Sequence, residues 1–479
     1  MSQPGGPSRP SFSLSALIRL VRWPWRVVRR DPGQSVDVQP VDPERLNRDK
    51  LRVQARVVRD ALKGDVAAAG PEDRPAKDDA ELVYLYRPGH ALAQAERLDD
   101  VMAFFERRGE EFDGRPERVD EPGPGLVLLR LPRRRDEGDD VLATLAELDE
   151  ALGRPEGKDQ PPIVSPDHLV YVTPAKGGLC PATEPEVPKT RRPWPPQAPA
   201  GEEPKPAERV RVAVVDTGLW ADAVGSAMTP WLESDDIFAD PADVEHVNPA
   251  AIHPYAGHGT FVAGVISCLA PDTRVEVEGL LTHGGAIYES AIIAQLNDAL
   301  NDDDHPQLIS ISAGTHTRGG WPLLSFALLA AAHRLAERDD ILVVAAAGND
   351  ASDQPFWPAA FSWAVGVGSV DPDGTVSDFS NVGEDWVKVY ARGRDLVNAF
   401  PRGTYICHEP PNAGQVRHFD GLARWSGTSF STPVVTGLIA ARMRATGEDA
   451  RTAWTKVLGD GTSATDPRGG AITIVGPLT

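Results

Sequence analysis

From residue 209 to the C-terminus, short apolar runs alternate with stretches of helical periodicity. The runs are RVRVAVVDTG, RVEVEGLL, LISISAG, ILVVAAAGN and WAVGVGSV, and helical stretches such as HGTFVAGVISCLA and SFALLAAAHRLAER lie between them. Strands that are apolar on both faces are typical of a parallel sheet that helices cover on both sides. Residues 209–479 are therefore predicted to form an α/β domain, with functional side chains at the carboxyl ends of its strands.

A different alternation occupies residues 80–174. ELVYLYRP, GLVLLRLP and DHLVYVTP read as strands, ERLDDVMAFFERR and DDVLATLAELDEALG read as amphipathic helices, and DGRPERVD reads as a weak strand. The resulting order, strand-helix-strand-strand-helix-strand, is typical of a small ferredoxin-like α+β domain. A chain of 479 residues exceeds one ordinary core, so a small domain beside a large one, or long irregular segments, are expected.

Residues 175–208 separate the two patterns. This stretch contains PATEPEVPKTRRPWPPQAPAGEEPKPAE, which is rich in proline and charge and has little apolar periodicity. Proline favours the polyproline II conformation, so the segment is predicted to be an extended, semi-stiff linker.

Residues 1–79 are predicted to be a partly disordered N-terminal extension with one short basic helix. In SFSLSALIRLVRWPWRVVRR, Leu14, Leu17, Ile18 and Val21 recur at helical spacing, with arginines beside them. Weak contact with a membrane surface is one use of such a helix. A disordered tail and a helix packed on the rest of the protein are alternatives.

The net charge of −21 argues against a nucleic-acid partner, because attraction to phosphates requires a basic face. Arg19 and Arg22 interrupt the first apolar run, which is not the pattern of a secretory signal, and we expect a cytoplasmic location.

Cys180, Cys268 and Cys407 lack zinc-ligand spacing. Cys268 reads as a buried thiol, and a bridge between Cys180 and Cys407 stays open. The sequence gives no indication of the oligomeric state.

Four polar residues stand at predicted strand or helix edges: Asp216 after VRVAVV, His258 in GHGTFVAG, Asn349 after VVAAAG and Ser429 in RWSGTSFSTPVV. Each one alone has an ordinary role as a cap, turn or core residue. Together they supply the parts that serine catalysis needs, because a hydroxyl needs a base, the imidazole needs an acid to orient it, and the oxyanion needs a donor.

With these motifs, residues from about 209 to 470 resemble the subtilisin-like serine proteases. The resemblance rests on VAVVDTG, GHGTFVAG, ISAG, AAAGN and SGTSFSTP, and on the order Asp, His, Ser along the chain. It implies that Ser429 is the nucleophile, His258 the general base and then acid, and Asp216 the group that orients His258. Asn349 would donate to the oxyanion together with the backbone N–H of Ser429.

The resemblance also implies two walls of a substrate cleft. Ser312, Ala313 and Gly314 match an edge segment that pairs with extended substrate, and His283, Gly284 and Gly285 lie where the opposite wall runs. GNDASDQPFWPAAF would form part of the pocket for the residue before the scissile bond. Glycines at these places allow close approach of a peptide backbone, although a role as plain turn glycines is an equal alternative.

Three departures from the family pattern bear on these expectations. Phe261 replaces a usual histidine, which is expected to change only packing, and Ser431 replaces a usual alanine, which is a small and tolerable change. The passage from VAGVISCLA to PDTRVEV lacks the insertion that helps bind a structural calcium, so neither that site nor another metal or cofactor is predicted. The acidic clusters ESDD and NDDDH read as solvated surface, with a hard cation as the alternative.

The combined interpretation is a serine endopeptidase that acts on proteins or peptides. Residues 80–174 have the position and element order of a subtilase propeptide, which would inhibit the enzyme; a permanently attached regulatory domain is the alternative. The second hypothesis is a gated or silent subtilase body that acts as a partner-binding regulator. A hydrolase of esters or lipids is a weaker third.

Overall fold

The computed structural model describes residues 43–135, 141–157, 159–172, 182–199, 209–281 and 284–479. The basic helix predicted around Leu14, Cys180 and His283 lie outside these ranges. We call residues 43–172 the N-terminal part and residues 209–479 the body. Both belong to one compact unit.

The N-terminal part is an antiparallel sheet with helices. Its helices are α1 (Pro43–Ala61), α2 (Leu98–Arg107) and α3 (Val141–Leu152), and its strands are β1 (Ala67–Ala69), β2 (Tyr84–Gln94), β3 (Phe112–Asp113), β4 (Glu117–Gly123), β5 (Leu126–Arg130), β6 (Arg133–Arg134) and β7 (Val164–Val172). The main strands lie side by side in the order β7-β2-β5-β4, and all three pairs are antiparallel. This is the strand order of a ferredoxin-like sheet.

Residues 43–79, which the sequence assigns to the extension, also contribute regular structure. Strand β1 pairs with β2, with Ala67 opposite Tyr86. Helix α1 buries Ala55 and Val58 in a cluster that includes Leu169 of β7. The boundary predicted at residue 80 therefore cuts through a packed layer.

The body contains a mostly parallel sheet with helices on both faces. Its helices are α4 (His258–Leu269), α5 (Glu289–Asn301), α6 (Leu324–Ala332), α7 (Thr428–Thr446) and α8 (Ala450–Gly459). Its strands are β8 (Arg211–Asp216), β9 (Ile237–Phe238), β10 (Arg274–Gly279), β11 (Ala286–Tyr288), β12 (Leu308–Ile311), β13 (Ala313–Gly314), β14 (Leu342–Ala346), β15 (Ala364–Val370), β16 (Val387–Arg392), β17 (Leu396–Ala399), β18 (Gly403–Ile406), β19 (Val416–Phe419), β20 (Leu422–Trp425), β21 (Thr462–Asp466) and β22 (Gly470–Ile474).

The large sheet has the order β21-β22-β16-β15-β14-β12-β8-β10-β9, and only its β21–β22 pair is antiparallel among these neighbours. Alternate residues of one strand point into different cores: Val212 and Val214 pack with α4 and α7, whereas Val215 packs with α5 and α6. This two-sided burial is why the strands read as continuous apolar runs. The predicted α/β fold is confirmed.

The described part of the linker, residues 182–199, lies extended along the body. The backbones of Glu186 and Arg424 exchange two hydrogen bonds of 2.9 and 2.7 Å, and Trp194 N donates to the carbonyl oxygen of Val397 at 2.8 Å. The guanidinium of Arg392 stacks over the Trp194 ring at 3.9 Å. The segment is therefore fastened to the body at several points, which its composition did not indicate.

The N-terminal sheet lies on the body with one face against α5 and α6 and its other face covered by α2 and α3. At its edge, β7 pairs antiparallel with β11 on one side of its C-terminal residues and with β13 on the other. The two parts of the chain thus share one continuous sheet.

Buried polar groups hold the same interface. Asp167 accepts hydrogen bonds from the backbone N and the hydroxyl of Ser290 at 3.0 and 2.9 Å. His168 Nδ1 lies 2.9 Å from Glu289 Oε2, and its Nε2 accepts from Arg318 N at 3.3 Å. These contacts fix the tautomer of His168, with the proton on Nδ1.

Cys268 and Cys407 are buried, unpaired thiols. Burial raises the pKa of Cys268 to about 12 and that of Cys407 to about 11. The expectation for Cys268 is met; Cys407 is a free thiol, and Cys180, the other member of the bridge left open, lies outside the described residues. Within the described ranges, no helix combines the length and the apolar character needed to cross a bilayer.

The buried carboxyl of Asp167 makes stability depend on pH. Burial raises its pKa from 3.8 to about 7, so between these values the folded chain keeps a proton that the unfolded chain releases. The free energy of unfolding should therefore fall as pH rises through this window, by roughly 2–3 kcal/mol between pH 5 and pH 8 from this group. We expect Asp167→Asn, which cannot ionise, to remove that component. Urea unfolding of both proteins at both pH values measures it, and an equal pH effect in the two would contradict the prediction.

Candidate active site

Asp216 is the last residue of β8, at the carboxyl edge of the large sheet. Its side chain is fully buried, and Oδ1 lies 2.7 Å from Nδ1 of His258. The same oxygen accepts a hydrogen bond from Thr217 N at 2.8 Å. The carboxylate is therefore oriented towards the imidazole by its own loop.

His258 opens α4, and the glycines around it allow the close approach of its neighbours. Gly257 has φ of 73°, and a Cβ there would lie 2.2 Å from Cδ of Pro401. A Cβ at Gly259 would lie 2.6 Å from the carbonyl oxygen of Gly218, in the loop after Asp216. The GHG sequence thus brings the start of α4 against the loop that carries the carboxylate. Phe430 packs on the imidazole, with ring centroids 5.2 Å apart.

Ser429 lies in the first turn of α7, directly before the Phe430 that contacts His258. Its hydroxyl donates to the carbonyl oxygen of Ser312 at 3.4 Å, and the Ser312 hydroxyl donates to the carbonyl oxygen of Ser429 at 2.8 Å. Among the described residues, Nε2 of His258 has no hydrogen-bond partner. The hydroxyl rotamer seen here therefore does not make a serine–histidine bond, and such bonds are often long or absent before substrate binds.

Asn349 follows β14 and is tied to the residue before Ser429. Its Oδ1 accepts hydrogen bonds from Thr428 N at 2.8 Å and from Thr428 Oγ1 at 3.0 Å. Because the amide oxygen is engaged, the orientation of the amide plane is fixed beside the start of α7. Thr428 thus holds the side chain of Asn349 in place, a role that was not predicted from the sequence. The only indication of it in the sequence is the threonine between the glycine and the serine of SGTS.

The two predicted walls are brought together around one extended segment, which is β7 of this chain. Val172 lies opposite Ala313, and Tyr171 lies opposite both Gly314 and Ala286. Val172 N donates to the carbonyl oxygen of Gly285 at 2.8 Å.

The remaining wall residues behave differently. Ser312 contacts Ser429 rather than β7. At Gly284 a Cβ would lie 2.6 Å from Cβ of Ala61, so this glycine allows α1 to approach. His283 lies outside the described residues.

A cavity of about 420 Å³ lies beside β7, and part of the stretch 348–361 lines it. Its lining includes Tyr171, His316 and Asp350, and His316 Nε2 lies 3.2 Å from Asp350 Oδ2. Burial works against a charged His316, but the hydrogen bond to Asp350 and its charge outweigh burial and raise the pKa of His316. The cavity is therefore lined by a His316–Asp350 pair, and Asp350 directly follows Asn349 in the chain.

Comparisons with known proteins show which family the chain resembles. The profile of the Subtilase family matches residues 207–457, more than half of the chain. The chain is 30% identical over 246 residues to the thermophilic serine proteinase of Bacillus sp. (strain AK1), covering 48% of this chain and 51% of that protein. It is 29% identical over 259 residues to the intracellular serine protease of Paenibacillus polymyxa, covering 51% of this chain and 69% of that protein.

A solved cold-adapted subtilisin-like serine proteinase matches 59% of this chain and 95% of its own, with a TM-score of 0.42 and 20% identity. The matched region thus spans about half the length of the Bacillus relative and about two thirds of that of the Paenibacillus relative. Because the family profile extends across all the elements that carry Asp216, His258, Asn349 and Ser429, the chain belongs to the subtilase family.

Proposed function

We propose that the protein is a serine endopeptidase that hydrolyses peptide bonds through an acyl-enzyme on Ser429. The observation that carries the proposal is the fully buried contact of 2.7 Å between Asp216 and His258. It occurs at the carboxyl edge of a parallel sheet, beside the first turn of the helix that holds the serine. A carboxylate in this position holds the imidazole in the tautomer that leaves Nε2 able to take a proton.

The proposed reaction begins when the Ser429 hydroxyl rotates away from Ser312 and attacks the scissile carbonyl carbon. His258 Nε2 accepts the hydroxyl proton and later gives it to the leaving amine, and Asp216 stabilises the imidazolium between these steps. Asn349 Nδ2 and the backbone N–H of Ser429 would donate to the oxyanion. The tie between Asn349 and Thr428 supports this role, since it holds the amide in place before any charge develops.

We further propose that the domain at residues 80–174 inhibits the catalytic domain at residues 209–479. Strand β7 pairs with β13, which contains Ala313 and Gly314 of one inferred substrate wall, and with β11, which directly follows Gly285 of the other wall. Val172 N also donates to the carbonyl oxygen of Gly285. A peptide substrate needs the same backbone donors and acceptors, so it competes with β7 for them. The subtilase relatives act on proteins according to their names, which supports protein or peptide substrates here.

A cytoplasmic location remains a prediction. The name of the Paenibacillus relative, an intracellular serine protease, supports it. Contact of the N-terminal basic helix with a membrane also remains a prediction, since that helix lies outside the described residues.

Replacing the nucleophile tests the reaction. We expect a fluorophosphonate probe to label the wild-type chain and not Ser429→Ala, because the probe reacts with an activated serine hydroxyl. Ser431→Ala is the matched control, since Ser431 is a buried serine one half-turn further along α7. Labelling is read by intact-mass spectrometry. Equal labelling of wild type and Ser429→Ala would refute the assignment.

Weakening the β7 contact tests inhibition. Val172→Pro removes the N–H that donates to Gly285, and an unpaired buried acceptor costs about 1–3 kcal/mol. We expect the probe to label this variant about tenfold faster than wild type, whereas Val172→Ala keeps the N–H and should change the rate much less. Time courses of labelling give both rates. If Val172→Pro folds and labels at the wild-type rate, β7 does not limit access.

Removing the oxyanion donor tests the role of Asn349. Loss of one such donor typically lowers kcat by about 10²–10³. We expect Asn349→Ala, made in the Val172→Pro background, to lose peptide hydrolysis by this factor with little change in KM. Kinetics on a chromogenic peptide measure the effect, and a loss confined to KM would contradict it.

A further inference from the structure

A second buried carboxyl group lies close to the catalytic pair and is not one of its members. Glu245 is 6% exposed, and its Oε2 accepts a hydrogen bond from the backbone N of Gly257 at 2.7 Å. Gly257 is the residue immediately before His258 and the cap of α4. The carboxyl group therefore holds the point at which the chain enters the catalytic helix.

The segment that carries Glu245 also holds the loop after Asp216. Leu219 N donates to the carbonyl oxygen of Asp243 at 3.0 Å, and Glu245 N donates to the carbonyl oxygen of Leu219 at 2.8 Å. A Cβ at Gly218 would lie 2.4 Å from the Asp243 carbonyl oxygen, so the two backbones are in close contact. Residues 243–245 are thus bonded to both sides of the catalytic pair.

The end of β10 adds a third attachment. Asp243 Oδ1 accepts a hydrogen bond from Gly279 N at 2.9 Å, and Gly279 pairs with Asp216 in the large sheet. The segment is therefore anchored to the sheet at the level of the catalytic carboxylate, and Glu245 extends from this anchor to α4.

We infer that Glu245 is a positioning residue, which fixes the start of α4 so that His258 Nδ1 meets Asp216. The inference rests on the proposed function. A displacement of about 1 Å in a catalytic group can reduce the rate about 10²-fold, so a bond at this entry point has a large effect on turnover.

The groups that face Glu245 explain why an acceptor is needed there. Gly257 N–H lies at the entry to α4, near the positive end of its helix dipole, and Glu245 supplies its acceptor. His253 Nε2 lies 3.4 Å from the other carboxyl oxygen. Burial raises the pKa of Glu245 well above its ordinary value; the Gly257 bond opposes this shift, and the charge of Asp216 adds to it. Either a carboxyl or a carboxamide oxygen can accept from Gly257.

The test compares Glu245→Gln, which keeps an acceptor oxygen, with Glu245→Met, whose side chain has a similar length but no acceptor oxygen. Glu276→Gln, a half-buried carboxyl on β10, is the control. In the full-length chain, we expect Glu245→Met to lower the rate of fluorophosphonate labelling about 10²-fold and to shift the pH midpoint of that rate. Glu245→Gln should stay within about tenfold of wild type, and Glu276→Gln should match it. In peptide hydrolysis, measured in the Val172→Pro background, the loss should appear in kcat and not in KM.

A second readout does not depend on reaction. The proton between His258 Nδ1 and Asp216 should give a downfield proton NMR resonance, which His258→Asn removes and thereby assigns. We expect this resonance to be retained in Glu245→Gln and to be shifted or lost in Glu245→Met. If the wild type shows the resonance but is not labelled by the probe, the proposed function fails. The resonances of Glu245→Gln and Glu245→Met still decide whether Glu245 positions His258. A folded Glu245→Met with an unchanged resonance and labelling rate would overturn the inference, and so would equal losses in the Gln and Met variants.

Discussion

Four residues at the end of β7, from Leu169 to Val172, carry the backbone pairing on which the arrangement of the molecule depends. Strands β11 and β13 are short, and each would be an exposed edge without β7 between them. An exposed edge presents unpaired donors and acceptors that attract another extended strand. The same groups join the two parts of the chain, and under the proposed function they would also bind a peptide, so that occupancy by one would exclude the other.

The interface around this pairing is polar as well as apolar. Buried ion pairs contribute little net stability because both charges lose water, but removing one partner leaves a costly unpaired charge. Arg318 and Asp149, 2.5 Å apart and both buried, join the two parts of the chain in this way. Such contacts favour one docked geometry without making separation prohibitively unfavourable. The proposed inhibition requires this balance, because an inhibitory segment has to bind in one geometry and still be displaceable.

The sequence was sufficient for features that depend on local pattern. Residues such as Val214 and Val215 alternate between two cores, so the strands of the body can be predicted as apolar runs. Asp216 lies at the end of one of these strands. It was insufficient for contacts between distant segments. Nothing local in β7 indicates that it pairs with residues more than 100 positions later, and Glu245 lies in a stretch without periodicity or motif. The charged stretch that forms α1 was likewise not recognised as part of the fold.

The distance between the two side chains that are proposed to react, those of His258 and Ser429, depends on the core rather than on the cleft. His258 and Ser429 each lie in the first turn of a helix, and α4 and α7 pack side by side. Gly437 permits this packing, since a Cβ there would lie 2.9 Å from Cβ of Leu269. Helix packing thus sets how far apart α4 and α7 lie, and the segment at Asp243–Glu245 sets where α4 begins. The small residues that allow helices α4 and α7 to pack closely can be seen in the sequence. The start of α4 cannot, because it depends on contacts between segments that are distant in the chain.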